Sequence, residues 1–79
     1  MKETKFPVYV KLNGGYSFYK IRSERSFEEL QVIGERIVLH TIEAKQFPDI
    51  QRIQDMLSSE GFIPISEEEY LQLMEKVKL

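Results

Sequence analysis

The chain has 79 residues, of which 42% are hydrophobic and 30% charged. That is enough apolar material for one folded domain and too little length for two cores, so we take residues 1–79 as a single small globular domain. The sequence contains no cysteine, which excludes disulfide bonds, thiolate catalysis and thiolate zinc sites. The longest aliphatic run is residues 37–39. The sequence therefore predicts a soluble, cytoplasmic protein without a signal peptide or a membrane span.

Charge is distributed unevenly along the chain. The formal net charge is −2, which is unlike that of a general nucleic-acid binder. Residues 1–25 hold six Lys or Arg and two Glu, a local charge of +4, whereas residues 26–79 hold five bases and eleven acids, a local charge of −6. A basic end and an acidic end can attract each other between molecules, so the asymmetry favours a protein partner.

The first predicted element is a β-hairpin. Residues 6–12 and 16–22 are rich in β-branched and aromatic side chains, and residues 13–15 are Asn-Gly-Gly, which tolerate the positive φ angles of tight turns. Pro7 has no N–H to donate to a strand ladder. We therefore expect the first strand to lie at an edge of its sheet, or to leave that side of its backbone unpaired.

Two registers of this hairpin fit the sequence. A two-residue turn at Asn13 and Gly14 would pair Tyr9 with Phe18, whereas a three-residue loop would pair Tyr9 with Tyr19. A shift of one residue exchanges the side chains that face the core with those that face solvent. The sequence does not decide which of the aromatic side chains are buried.

The next segment allows two interpretations. Ser26 and Glu29 have the spacing of a capping box, which predicts a short helix over residues 27–33 ended by Gly34. The alternative is a strand that pairs across Gly34 and Glu35 with the segment after it. Residues 36–43 are apolar at both odd and even positions, a pattern typical of an interior strand.

Two amphipathic helices are predicted in the second half of the chain. Pro48 suits a first helical turn, and apolar residues recur at helical spacing until Gly61, which predicts a helix over residues 48–60. Ser66 and Glu69 form a capping box, which predicts a second helix over residues 67–78. Residues 62–65 lie between the helices, are too short for a helix and contain proline, so we expect an extended edge segment.

Together these elements predict an α+β fold. We expect a small two-layer sandwich, in which a mostly antiparallel sheet of three or four strands begins with the N-terminal hairpin. The two amphipathic helices, about residues 48–60 and 67–78, are expected on one face of that sheet.

The residues that carry most enzyme chemistry have ordinary structural explanations in this sequence. His40 is the single histidine and shares a strand face with Val38 and Ile42, so we expect it to be partly buried beside a hydrogen-bond partner. The serines suit turns and caps, and most clustered glutamates suit first helical turns. We therefore predict no enzymatic activity, no cofactor and no metal. The alternative is an enzyme subunit or a small-ligand binder that uses His40 or the clustered carboxylates.

The hairpin carries the most suggestive surface pattern, because aromatic and basic residues alternate along it. Our leading hypothesis is a protein-protein interaction module that binds a partner, or a second copy of itself as a homodimer, through the hairpin edge. The predicted contact residues are Tyr9, Lys11, Tyr16, Tyr19 and Lys20. The alternative is weak binding of single-stranded nucleic acid, whose bases stack on aromatic rings while lysines neutralise its phosphates.

Overall fold

A single antiparallel sheet organises the protein, as seen in a computed structural model that describes residues 5–58 and 61–77. Within these residues the sheet has five strands, in the order β4-β3-β2-β1-β5. The α+β class is confirmed, but the sheet is larger than the three or four strands predicted. In chain order the elements are β1 (Val8–Leu12), β2 (Ser17–Ser23), β3 (Ser26–Ile33), β4 (Arg36–Glu43), α1 (Phe47–Leu57), β5 (Phe62–Pro64) and α2 (Glu67–Met74).

The hairpin of β1 and β2 is confirmed, but both of its predicted registers are wrong. Tyr9 lies opposite Lys20, because the loop takes in all four residues from 13 to 16. Gly14 has a φ of 74° in this loop, a conformation that favours glycine. The observed register places Val10 opposite Tyr19 and Val8 opposite Ile21 on one face of the sheet, whereas Tyr9 and Phe18 point to the other face.

Of the two interpretations of residues 27–33, the short helix is wrong and the strand is confirmed, because these residues belong to β3 and pair across Gly34 and Glu35 with β4. Phe27 and Leu30 are both completely buried, and an odd separation places them on opposite faces of a strand. A helix would have placed them on one side. Both faces of the sheet are covered, so as a strand this segment buries both side chains, one on each face. That burial outweighs the capping-box pattern at Ser26.

One face of the sheet, the α1 face, holds most of the core. Val10, Tyr19, Ile21 and Phe27 occupy it according to the strand registers, and they form one buried cluster with side chains of α1. The residues that α1 contributes to the cluster are Ile53 and Met56. This helix begins at Phe47 with Pro48 in its first turn, as predicted, and ends at Leu57. Residues 59–60 of the longer prediction lie outside the described residues.

Helix α2 covers the opposite face, the α2 face, so the prediction that both helices share one face is wrong. Tyr70 is the buried residue of α2; its ring packs 5.3 Å from that of Tyr9, and its hydroxyl donates to Glu28 at 3.2 Å. Tyr9 and Glu28 alternate with the core residues of their strands, so they point away from α1. The sheet is therefore covered on both sides, which makes three layers instead of two.

The start of α2 agrees with its predicted capping box. The backbone N–H of Glu69 donates to the hydroxyl of Ser66 at 3.1 Å, which satisfies one of the free donors of the first turn. The helix ends at Met74, and residues 78–79 lie outside the described part of the chain. Neither described helix is long and apolar enough to cross a bilayer.

Tyr70 should make the stability of the protein sensitive to alkali. Burial, and then the negative charge of Glu28, raise the pKa of Tyr70 above its ordinary value of 10.0. Above about pH 10 the unfolded chain therefore releases a proton that the folded chain keeps, and stability falls by up to ~1.4 kcal/mol per pH unit. Tyr70→Phe should remove this contribution, as urea unfolding at about pH 8, 10 and 11 can show. Parallel pH curves for the two proteins would contradict it.

Candidate interaction surface

The five residues predicted as a contact surface do not form one surface. Tyr19 is only 3% exposed and lies in the core on the α1 face, with its ring 5.7 Å from that of Phe62. Tyr9 lies on the other face, where it packs against Tyr70 and donates its hydroxyl to Glu67 at 2.9 Å. Tyr19 is therefore inaccessible to a partner, whereas Tyr9 is only partly buried by its contacts with α2.

The remaining three predicted residues are more accessible, and two of them lie beside Tyr9 on the α2 face. Tyr16 lies in the hairpin loop and is 74% exposed. Lys11 and Lys20 are half-buried on the α2 face, and Lys20 stands directly across from Glu28. That glutamate also lies 3.7 Å from the Arg22 guanidinium. Lys20 and Arg22 thus share an acidic neighbour, an arrangement that gives no support to phosphate binding at these two residues.

The hairpin also lacks the free edge that the hypothesis requires. Strand β1 pairs with β2 on one side and with β5 on the other, and β2 lies between β1 and β3. Pro7 comes immediately before β1, so it costs the ladder no donor inside the strand. Of the two alternatives predicted for the first strand, the edge position is therefore wrong, whereas Pro7 does lie outside the paired residues. The hairpin offers no free edge among the described residues.

The outer strand at one side of the sheet, β5, offers little backbone for pairing. It has three residues, ending at Pro64, as predicted for an extended edge segment. The backbone N–H of Asn13 donates to the carbonyl of Gly61, and the N–H of Ile65 donates to the carbonyl of Tyr9, so the odd-numbered residues of this segment face β1. The backbone groups of Phe62 and Pro64 therefore point away from β1. Proline has no N–H, and a short strand with a proline is a common way to protect a sheet edge.

The outer strand at the other side, β4, has no such protection. Its sequence predicts an interior strand, yet it pairs within the described residues only with β3. It spans Arg36–Glu43 in an uninterrupted register without proline. Four of its apolar side chains remain partly exposed to solvent: Ile37, Val38, Leu39 and Ile42. A strand with the composition of a sheet interior thus occupies a sheet edge.

Two backbone hydrogen bonds determine which groups of β4 point outward. The N–H of Ala44 donates to the carbonyl of Arg25 at 2.7 Å, in register with the pairing of β3 and β4. Because the direction of the backbone groups alternates along a strand, the even-numbered residues of β4 face β3. The N–H of Val32 donates to Tyr16 at 2.8 Å, which gives the same result from β3. The outward residues are therefore Ile37, Leu39, Thr41 and Glu43.

Open grooves flank β4 on both faces of the sheet. The groove on the α1 face is lined by residues of β3, β4 and α1, with Glu29, His40 and Arg52 as its charged or titratable members. The groove on the α2 face has a volume of about 550 Å³ and is lined by β4 together with Lys76 and Val77. An added strand projects its side chains alternately to the two faces. A strand beside β4 would therefore place side chains in both grooves.

The polar residues near β4 form contacts but no ion-binding cluster. Glu29 accepts a hydrogen bond from Ser17 at 2.9 Å and lies 3.8 Å from the Arg52 guanidinium. His40 stands opposite Glu29 and is exposed, which corrects the prediction that it is partly buried. It shares a face with Val38 and Ile42, as predicted. Residues 5–58 and 61–77 contain no group of three or more potential metal ligands.

Sequence reasoning missed the outward residues of β4 as candidates. The signal that was available is the apolar composition of residues 36–43 on both faces, from which an interior position was inferred. Whether a strand has a neighbour on each side depends on the strand order, which is decided by contacts distant in sequence.

Comparison with protein-family models, with curated proteins and with solved structures gives no significant match to this chain. Function therefore has to be inferred from the geometry of the sheet and its edges.

Proposed function

We propose that this protein is an interaction module that binds a protein partner by strand addition at β4. The observation that carries the proposal is the contrast between the composition of β4 and its place in the sheet. Its outward N–H and C=O groups run along eight residues, and the backbone of an extended partner can pair with all of them. The hairpin contact that we predicted from the sequence is replaced in this proposal by the β4 edge.

The grooves on the two faces would supply specificity. Backbone pairing attracts any extended chain, whereas pockets for alternate side chains select among sequences. Ile37, Leu39 and Val77 give the groove on the α2 face an apolar part. Its charged part consists of Glu35, Arg36 and Lys76, with one more positive than negative charge. We expect a partner strand to present apolar or acidic side chains to this face. On the α1 face, Arg52 and Glu29 favour polar side chains.

The test uses a proline on the outward side of β4. The N–H of Thr41 points away from β3, so Thr41→Pro removes no hydrogen bond of the internal ladder but blocks an added strand. A library of random extended peptides is selected on wild-type protein, immobilised sparsely enough to keep copies apart. The selected peptides should bind Thr41→Pro at least about tenfold more weakly. Thr41→Val keeps the N–H and should bind them normally.

One further control variant and two outcomes complete the test. His40→Pro is the matched variant on the inner side, where the lost N–H belongs to the ladder with β3. It should lower the melting temperature clearly, whereas Thr41→Pro should leave it nearly unchanged. If no peptide is selected, or if the selected peptides bind wild type and Thr41→Pro equally well, the β4 edge is not the binding surface and the proposal is wrong.

A further inference from the structure

We infer that the strand received by β4 is β4 of a second copy of this chain, an inference that rests on the proposed function. Antiparallel pairing of the two edge strands would give each β4 a neighbour on both sides, which is the environment that its composition predicts. Val38 and Leu39, which are partly exposed on opposite faces of the sheet, would then be covered together. A second copy would therefore cover the partly exposed apolar side chains of β4 on both faces of the sheet.

Symmetry restricts how two copies of β4 can pair. A twofold axis that relates the two antiparallel strands stands perpendicular to the sheet, so each face of one copy continues into the same face of the second copy. Residues that lie opposite each other point to the same face, so odd-numbered residues of β4 pair with odd-numbered residues. The odd-numbered residues are also those whose N–H and C=O groups point outward, so in this pairing the outward backbone groups of the two strands can bond to each other. One of these registers is centred on His40, and the adjacent registers are centred on Leu39 and on Thr41.

The register centred on His40 uses the whole edge. It places Ile37 opposite Glu43 of the second copy and Leu39 opposite Thr41 of the second copy, so all four outward residues of each strand exchange backbone hydrogen bonds. Centring on Leu39 would instead bring Glu43 opposite Glu35 of the second copy, two like charges. Centring on Thr41 would leave Ile37 beyond the end of the other strand. The geometry therefore favours His40 at the centre.

Charge and apolar exposure at the two ends of β4 complement each other in this arrangement. The turn end of β4 has Lys76 beside it on the α2 face, and the centred register brings Glu43 of the second copy to that face and that end. Ile33, which is 53% exposed, lies at the turn end, and Phe47, which is 73% exposed, lies just beyond the other end. Antiparallel pairing thus brings apolar residues of the two copies together and opposite charges together.

The first measurement is the solution mass of the full chain by light scattering or sedimentation, from about 5 to 500 µM, because association by mass action depends on concentration. We expect a shift from monomer to dimer with wild-type protein and with Thr41→Val. Thr41→Pro should dimerise at least about tenfold more weakly, since each copy loses an outward donor and carries a ring at the interface.

The second measurement determines the register by single cysteines, which the cysteine-free chain permits. In the centred register position 40 lies opposite itself as a non-hydrogen-bonded pair, at a Cα separation of about 4.5 Å, within the range of a disulfide. His40→Cys should therefore form a covalent dimer under mild oxidation. Leu39→Cys and Thr41→Cys would each be more than about 7 Å from their own copies and should form several-fold less. Gln54→Cys, on the exposed side of α1, controls for random collision.

The outcomes separate this inference from the function on which it rests. A monomer at every concentration, a dimer unaffected by Thr41→Pro, or preferential cross-linking at position 39 or 41 would each overturn the inference as stated. If the protein is monomeric while peptide binding remains sensitive to Thr41→Pro, the edge binds a different protein and only the second copy is excluded. If peptide binding is also insensitive to Thr41→Pro, both proposals are wrong.

Discussion

Phe27→Ala is expected to lower the free energy of unfolding by about 3–5 kcal/mol, as large-to-small changes at fully buried aromatic sites do. The side chain is 0% exposed, and its ring packs against that of Tyr19. The Arg52 guanidinium lies over the Phe27 ring, 5.7 Å from the ring centroid. A domain of this length has a total stability of roughly 4–12 kcal/mol. The loss is thus a large fraction of the total stability, and at the lower end of that range the variant would be unfolded at room temperature.

The matched control is a second phenylalanine. Phe47→Ala removes the same atoms from a side chain that is 73% exposed, so the free energy of unfolding should change by no more than about 0.5 kcal/mol. Urea denaturation of dilute samples, followed by circular dichroism, compares the two variants under conditions that disfavour association. Equal losses would show that Phe27 is not the centre of the core on the α1 face.

Tyr70→Ala is expected to have a comparable effect, about 3–5 kcal/mol, through the opposite face of the sheet. Tyr70 is the one buried residue among the described residues of α2, and its ring holds this short helix against Tyr9. An eight-residue helix is not stable without tertiary contacts. Loss of this ring should therefore release α2 and expose Leu30, which is now completely buried.

The neighbouring residue provides the control and a second signal. Leu71 is 47% exposed on the same helix, and Leu71→Ala should change the free energy of unfolding by less than about 1 kcal/mol. In native-state hydrogen exchange, Tyr70→Ala should remove protection from α2 amides before the sheet opens, because α2 would no longer be docked. Retained protection of α2 in Tyr70→Ala would mean that other side chains hold the helix.

The parts of the fold that were predictable from the sequence have local signals. Pro48 marks the first turn of α1, and the hydroxyl of Ser66 caps α2, as their positions predict. These signals act between residues a few positions apart, so a sequence reveals them directly. The strand composition around residues 8–12 and 17–23 likewise identified a hairpin, although the length of its loop was not predictable from Asn13 and the glycines.

The parts that were wrong depend on contacts distant in sequence. The capping-box pattern at Ser26 was overridden because Phe27 and Leu30 are buried on opposite faces under different helices. The placement of α1 and α2 on opposite faces was not predictable for the same reason. The strands of a sheet that is covered on both sides do not alternate cleanly between polar and apolar residues. Local patterns give no information about how many layers will form.

At the β4 edge, as in the fold, the features with local signals were predictable and those that depend on distant contacts were not. The apolar character of Val38 and Leu39 was visible in the sequence, and the inference that β4 needs neighbours on both sides follows from it. The strand order, which leaves one of those sides open, was not visible. Conversely, the exposure of Tyr19 was assumed from its aromatic and basic neighbours, whereas the register of the hairpin buries it.

Pro64 determines how far such an assembly could extend. Joining two copies at β4 makes a continuous sheet of ten strands, twice the five of one copy, whose two outermost members are then both β5. Each outermost strand ends in a residue that cannot donate a backbone hydrogen. Recruitment of a third molecule would thereby be disfavoured, so the proposed dimer would be a closed pair and not a growing fibre.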